Sequence, residues 1–445
     1  MNKKLITYDT GNCDPSRVGD ELGISREEID GYSEHFQNAL TQIKKWDADG
    51  TYGFLSLPED NPAAREAVEI IGSAPEDLDT FLHLGIGGSS LGPIAIQKAL
   101  DNSLTQKKST PFKRVIIHEN VDPEGFSLHA DSIDFSRTLV NVVSKSGGTI
   151  ETLALLTATF ARMKKTLSPD KLAEQLIIST ENPDGVLRKL ADEYGARVVH
   201  LPGNVGGRFS ILTAVGLLPA AAMGLDPSTL LAGAAAMRKA CYAADSHHDP
   251  CFLSALIPYL LAQRGVNINV LFPYSDLLGG FALWCRQLLA ESLGKKVNRK
   301  GEVVHVGQTP MASIGTVDQH SLLQLYMEGS DDKFFTFFEI ENFRSDEPLD
   351  DLPHPKLEPQ HKRGLTLGKL LNAELRGTAE ALASEGRPST TFRIPRLDAH
   401  VLGQLFYFFE LSTAYAAELY DIDAFDQPGV EASKKLTMRY LRGEA

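Results

Sequence analysis

From Phe81 onward, short β-rich apolar runs alternate with amphipathic helical stretches, and that alternation leaves few folds open. The runs are Phe81–Ile86, Arg114–His118, Thr138–Ser144, Leu176–Thr180 and Arg197–Leu201, with helical patterns at Leu91–Leu100, Ile150–Lys165 and Asp184–Tyr194. A strand that is apolar on both sides must be covered on both sides, and parallel strands need a crossover between them. Helices between the runs supply both, so the pattern predicts a parallel sheet sandwiched by helices. Asp226-Pro227-Ser228 then opens a long alanine-rich helix, with Pro227 suited to the first turn. A second alternating set follows: Asn267–Pro273, a helix over Gly279–Lys296, Glu302–Val306, a helix over Gln319–Met327 and Lys333–Glu341. It continues with a helix over Leu365–Ser384, a strand over Ser389–Ile394 and a long helix over Ala399–Tyr420. Ser345–Pro359, rich in Pro, Asp and Glu, reads as a loop.

The expected organisation is a polar helical leader over 1–75, a first α/β domain over 76–225, a second over 226–420 and a tail over 421–445. In the leader, Ser25-Arg26-Glu27-Glu28 reads as a capping box. A chain of 445 residues has room for two or three cores.

The formal charge of −14 argues against a general nucleic-acid binder, yet leaves room for a locally positive pocket that holds an anion. Cys13, Cys241, Cys251 and Cys285 form no CxxC pair, which points to reduced thiols and to neither a disulfide frame nor a zinc site. The longest uncharged run, Phe209–Leu225, is slightly short for a bilayer and is expected to be a buried helix, with no membrane partner. Few apolar residues separate Met1-Asn2-Lys3-Lys4 from Asp9, which is no signal-peptide pattern, so a cytoplasmic location is expected.

Two glycine-containing stretches stand at strand ends, and a third precedes an apolar helix. Leu84–Gly92 (LGIGGSSLG) departs from the dinucleotide fingerprint by placing Ser90 at the third glycine, and offers the hydroxyls of Ser89 and Ser90. Its glycines serve either a bare strand-to-helix turn or close approach of a ligand to backbone. Val143–Thr152 (VSKSGGTIET) brings Ser144, Ser146 and Thr149 around Gly147-Gly148 at a helix start. That is the composition of a phosphate cradle without the ending of a nucleotide loop; plain helix capping by Thr149 is the other reading. In Asn204–Ser210 (NVGGRFS), Arg208 is either an ordinary surface residue near a helix start or a planar cation where backbone can come close to an oxyanion. Within Gly279–Lys296, Gln287 and Glu291 stand four apart and share one face of an otherwise apolar helix. Such a carboxylate is paired with Lys295, solvated, or chemically active. His320 precedes a helix, and Lys434 lies in the tail after Pro428-Gly429.

Taken in order, these segments resemble the glucose-6-phosphate isomerase (phosphoglucose isomerase) family, in its shorter bacterial form. The resemblance runs from the first glycine loop to the tail. It is carried by NVGGRFSILTAVG (Asn204–Gly216), QLLAESLGK (Gln287–Lys295), VDQHS around His320 and AELYDIDAFDQPGVEASK (Ala417–Lys434). It implies two sugar-isomerase (SIS) type parallel-sheet sandwich domains with surrounding helices and a C-terminal helical tail returning to the active site. It implies reversible conversion of glucose 6-phosphate and fructose 6-phosphate, a step of glycolysis and gluconeogenesis, through a cis-enediol. Glu291 matches the base that moves the proton between C1 and C2, and Arg208 the cation that stabilises the enediolate. His320 and Lys434 match the ring-opening pair. Ser89, Ser144, Ser146 and Thr149 match phosphate contacts, with Gly88 and Lys145 among them, and Gln287 shares the face of Glu291. The family is usually a homodimer whose histidine comes from the neighbouring subunit. The route implies no cofactor and no metal. Gly148 stands where relatives often carry a hydroxyl, which bears on affinity and sugar range. The alternatives are a broader phosphosugar isomerase that also accepts mannose 6-phosphate, and a non-catalytic sugar-phosphate-binding protein of the same fold.

Overall fold

The computed structural model describes residues 4–59, 61–100, 112–349 and 364–444. Most of the expected Ser345–Pro359 loop lies outside the described residues. Among these residues the strands are β1 (Thr7–Asp9), β2 (Thr80–Leu84), β3 (Arg114–His118), β4 (Thr138–Val143), β5 (Leu176–Thr180) and β6 (Arg197–His200). They continue as β7 (Ile268–Pro273), β8 (Lys295–Val297), β9 (Val303–Val306), β10 (Thr309–Ala312), β11 (Lys333–Ile340) and β12 (Ser389–Ile394).

Two five-stranded sheets carry the fold. The first has the order β3-β2-β4-β5-β6 and is parallel throughout. The second has the order β1-β12-β11-β7-β10, parallel except for β1, which pairs antiparallel with β12. Every residue of β2, β4, β5 and β11 is buried, as strands covered on both faces must be.

The sequence reading missed three strands: β1, β10 and β8, which takes up the end of the helix expected over Gly279–Lys296, because that helix stops at Leu293. β1 comes from the stretch read as a helical leader; three residues are too short to show a period of two. β10 contains Pro310, which a sheet tolerates because β10 lies at an edge. The expected Glu302–Val306 strand forms, from Val303, but in a separate two-stranded ribbon with β8. The helix expected over Gln319–Met327 is a short turn at Val317–Gln319 followed by a helix at Leu323–Glu328.

Local chemistry explains several helix starts. Ser25 Oγ accepts the Glu28 amide at 3.1 Å, and Asp226 accepts the Ser228 amide at 2.9 Å ahead of the Pro227–Tyr242 helix. The Ala214–Ala222 helix is buried along its length, and no helix among the described residues is long and apolar enough to cross a membrane.

The Gly279–Leu293 helix lies between the two halves. It packs on β7 and β10 of one sheet and on the Leu91–Leu100 helix that follows β2 of the other. A Cβ at Gly280 would stand 3.0 Å from Ala95 Cα, so the close crossing of these helices needs glycine there. Phe281, Trp284 and Leu288 are buried, and Phe281 and Trp284 pack on Phe406 of the Ala399–Tyr420 helix. Burial of three such side chains fixes the rotation of the helix about its axis, and with it the direction in which the half-buried Gln287 and Glu291, on the flank of the same stripe, project.

Candidate active site

In the first sheet the order β3-β2-β4 sends the chain one way after β2 and the other way after β4. The loops at the C-terminal ends of these two strands therefore flank a crevice, the place where open α/β sheets bind ligands. Gly85–Ser90 is the first of these loops and Ser144–Thr149 the second.

The loop after β2 is held from below by buried polar groups. His83 Nε2 lies 2.7 Å from the Ser89 carbonyl oxygen, Asn141 Nδ2 lies 3.2 Å from His83 Nδ1, and Ser179 Oγ donates to Asn141 Oδ1 at 2.9 Å. Desolvation lowers the His83 pKa to about 4, so the ring is neutral near pH 7 and its Nε2–H donates to Ser89. Ser90 Oγ donates to Glu119 at 2.6 Å. At the tip of the loop Gly88 meets the backbone of Gly207, where a Cβ would stand 2.3 Å from the Gly207 carbonyl. The two glycine loops thus touch, which side chains would forbid.

The loop after β4 closes on itself. Ser144 Oγ and Thr149 Oγ1 are 2.9 Å apart, and Ser146 Oγ accepts the Gly148 amide at 3.3 Å. Thr149 precedes the Ile150–Met163 helix, yet its hydroxyl makes no capping bond, so capping of that helix is not what Thr149 does. The hydroxyl is engaged with Ser144 instead. Lys145 Nζ donates to the Gly203 carbonyl at 2.7 Å and so ties this loop to the stretch that leads into Arg208.

Arg208 is 2% exposed. Its Nε donates to Ser292 Oγ at 2.7 Å, and one terminal nitrogen lies 3.4 Å from Glu291 Oε2 and also donates to Gln427. The other donates to the carbonyl oxygens of Ala424 and Asp426. Burial holds the guanidinium below the usual arginine pKa, while Glu291, Asp426 and Asp423 act the other way. Lys295 does not pair with Glu291; its ammonium bonds the carbonyl and carboxylate of Asp426, so both cations fasten the returning 424–427 segment. Gln287 Nε2 donates to Glu291 Oε1 at 3.0 Å, and the Glu291 side chain keeps 34% exposure. A Cβ at Gly87 would stand 2.9 Å from Gln287 Nε2, which places the first glycine loop against the same helix face.

The structure therefore gathers Glu291, Gln287, Arg208 and Gly88, with Ser89 beside Gly88 and the Ser144, Lys145, Ser146 and Thr149 loop joined through Gly203. It does not bring His320 or Lys434 to them. His320 is exposed, and the Lys434 ammonium pairs with Glu431 at 2.8 Å on the exposed Glu431–Leu441 helix. The sequence reading passed over Ser292, Gln427 and the carbonyls of Ala424 and Asp426 as partners of Arg208. Long-range pairing leaves no local pattern, although Gln427 stands in the quoted tail motif. His83 and Asn141 did carry a signal, as polar residues inside buried strands.

A carboxylate with one open side next to a desolvated cation can take and return a proton where negative charge develops on a neighbouring oxygen. A surface cavity of about 600 Å³ lined by Ile70, Leu139, Ile177 and Arg197 shares no residue with this cluster. Chemistry, not volume, marks the site. The two groups of metal-ligand side chains that converge among the described residues, Asp30 with His247 and His248, and Cys241 with Asp249 and Cys251, also lie outside it.

The family model described as phosphoglucose isomerase matches residues 64–443. The chain belongs to the phosphoglucose isomerase family. This family member is 41% identical to a glucose-6-phosphate isomerase of Carboxydothermus hydrogenoformans, over 95% of this chain and 91% of that one. It is 36% identical to a glucose-6-phosphate isomerase of Rubrobacter xylanophilus, over 97% of each. A crystal structure of a hypothetical protein from Thermus thermophilus superposes with a TM-score of 0.87 at 33% identity, over 98% of this chain and all of that one. The two-sheet α/β architecture is thus the fold of a solved relative.

Proposed function

We infer that this chain is a glucose-6-phosphate isomerase, an aldose-ketose isomerase that interconverts glucose 6-phosphate and fructose 6-phosphate. The observation that carries the reading is the Glu291 carboxylate, oriented by Gln287 and 3.4 Å from the buried Arg208 guanidinium. In this reading Glu291 removes the proton from C2 and returns it to C1, and Arg208 stabilises the oxyanion of the cis-enediol. Ser89, Ser144, Ser146 and Thr149, with the backbone at Gly88 and the charge of Lys145, grip the phosphate at the crevice of the first sheet. The family membership supports these roles, and a sugar phosphate is the substrate class that fits them.

The same reading divides the chain into a leader over 1–75, sugar-isomerase type domains over 76–225 and 226–420, and a tail over 421–445. It places the protein in the cytoplasm as a homodimer, with His320 supplied by the neighbouring subunit to open the sugar ring together with Lys434. Exposed apolar side chains support the dimer: Val317 and Leu325 flank His320 with 64% and 50% exposure, and Leu436, Tyr440 and Leu441 stand out on the tail helix.

The test is conversion of glucose 6-phosphate to fructose 6-phosphate by the purified chain in a coupled assay, with mannose 6-phosphate in parallel and with EDTA present. Absence of turnover sinks the reading. For the dimer, Glu291→Gln and His320→Ala chains, each inactive alone, are unfolded together and refolded. A shared site makes one of the two sites in each mixed dimer whole, so activity returns; separate sites leave the mixture inactive.

A further inference from the structure

We propose that Asp30, His247 and His248 form a binding site for a divalent transition metal, zinc above all, that clips the N-terminal segment to the body of the protein. His247 Nε2 and His248 Nε2 stand 2.8 and 2.9 Å from the same oxygen, Asp30 Oδ1. All three ligand atoms lie within 4.8 Å of one another. Adjacent residues that aim the same ring nitrogen at one point are an unusual expenditure of conformational freedom for an exposed loop. Without a metal, both rings must carry a proton on Nε2 and share one carboxylate oxygen, with their centroids only 4.4 Å apart. A metal at the centre replaces both protons with one cation and takes a lone pair from each neutral imidazole.

The geometry is close to what that requires. Tetrahedral zinc with bonds of about 2.0–2.2 Å holds its ligand atoms about 3.3 Å apart, so each contact opens by roughly half an ångström. Two imidazoles and one carboxylate suit zinc, nickel or copper, and are too few and too nitrogen-rich for calcium or magnesium. The fourth position faces solvent and takes water.

The ligands come from segments far apart in sequence that are already held in place. Asp30 ends the Arg26–Asp30 helix, which a Glu28–Arg264 ion pair at 2.6 Å fastens to the body. His247 and His248 lie in the connection between the Pro227–Tyr242 and Pro250–Gln263 helices. There Ser246 Oγ accepts the His248 amide at 3.2 Å and Asp249 caps the next helix. None of these elements carries Arg208, Glu291 or the serine loop, so the metal acts on stability and leaves the chemistry alone.

Equilibrium dialysis of the full chain, first stripped with a chelator, against zinc tests this. The expected result is one zinc per chain, a rise in melting temperature with zinc, and no comparable effect of magnesium. The double variant His247→Ala/His248→Ala should bind at least about tenfold more weakly, and Asp30→Asn should also lose affinity. Retained isomerase activity shows that each variant is folded. On the unaltered chain, cobalt in place of zinc should give a visible spectrum without a sulfur-to-cobalt charge-transfer band. Absence of saturable zinc binding overturns the proposal. So does equal affinity in the double variant, or a sulfur band, which would place the metal at Cys241 and Cys251.

Discussion

The two sheets are wound alike and equipped differently. In the first, β2 lies between β3 and β4; in the second, β7 lies between β10 and β11. Each half therefore has a crevice where successive connections part. In the first half both loops at that crevice are built from glycines and hydroxyls, and they present backbone amides and short side chains. In the second, the chain leaves β7 through the turn Asp276–Leu278 and enters the Gly279–Leu293 helix, whose last turn carries Glu291. Winding determines where a small molecule can sit; side chains decide which half grips it and which half reacts. If that division holds, changes in the second half should lower turnover, and changes in the first should weaken binding.

The largest effect is expected at Glu291. Glu291→Gln keeps the shape and the bond to Gln287 but removes the base, so kcat should fall by about 10²–10⁴-fold. A rate near that of the unaltered chain in the coupled assay would strip the second half of its assigned role.

Arg208 reaches across the boundary from the first half, and it tests whether the division follows the sequence or the site. Arg208→Ala should lower kcat by about 10²–10³-fold with a much smaller change in KM. A rise in KM alone would put Arg208 with the gripping loops. The variant should also melt earlier, because the carbonyls of Ala424 and Asp426 and the Ser292 hydroxyl lose their donor.

In the first half, Ser146→Ala should raise KM by about tenfold, the scale of one hydrogen bond to a charged group, and leave kcat nearly unchanged. Steady-state kinetics separate the two, and an equal loss in kcat would break the comparison.

How much of this was legible follows from the range of the interactions involved. Apolar runs such as Thr138–Val143 and Leu176–Thr180 announce strands because burial on both faces is written into consecutive residues. The pairing of Gln287 with Glu291 was visible because a helix makes residues four apart neighbours. Arg208 could be singled out for its glycines, but not its partners, since Gln427 is 219 positions away and only the folded chain makes the contact. The same limit hid β1, whose three residues are held in place by β12 rather than by a pattern of their own. Thr149 shows a different failure: its position suits a cap, and the nearer hydroxyl of Ser144 wins.

Each half also buries a titratable side chain, and the two should respond to pH in opposite directions. His83 is held neutral by burial, so the unfolded chain binds the extra proton and stability falls as pH drops from about 6.5 towards 4. Glu410, fully buried in the Ala399–Tyr420 helix, has its pKa pushed well above 4.5 by desolvation, and neither carboxyl oxygen has a hydrogen-bond partner among the described residues. Here the folded chain keeps a proton that the unfolded chain loses, so stability falls as pH rises above 4.5. Glu410→Gln removes that dependence. Its melting temperature should pull ahead of the unaltered chain as pH is raised from about 4.5 to 8; parallel curves would mean the carboxyl is not held protonated.

The smallest expected effect sharpens the gripping half. Gly148 has an ordinary negative-φ backbone, and a Cβ there would meet no atom of the described residues within 4 Å. Gly147 beside it has φ +66 and needs glycine. The absence of a side chain at position 148 is therefore a matter of chemistry and not of space, and Gly148→Ser should fold without strain. It adds a hydroxyl next to the amide that already donates to Ser146, and so one more donor on this loop. If the loop binds the phosphate through such donors, KM should fall severalfold at unchanged kcat, within the reach of one neutral hydrogen bond. An unchanged KM would mean that the backbone amides of this loop already satisfy the anion and that its hydroxyls serve only to shape the turn.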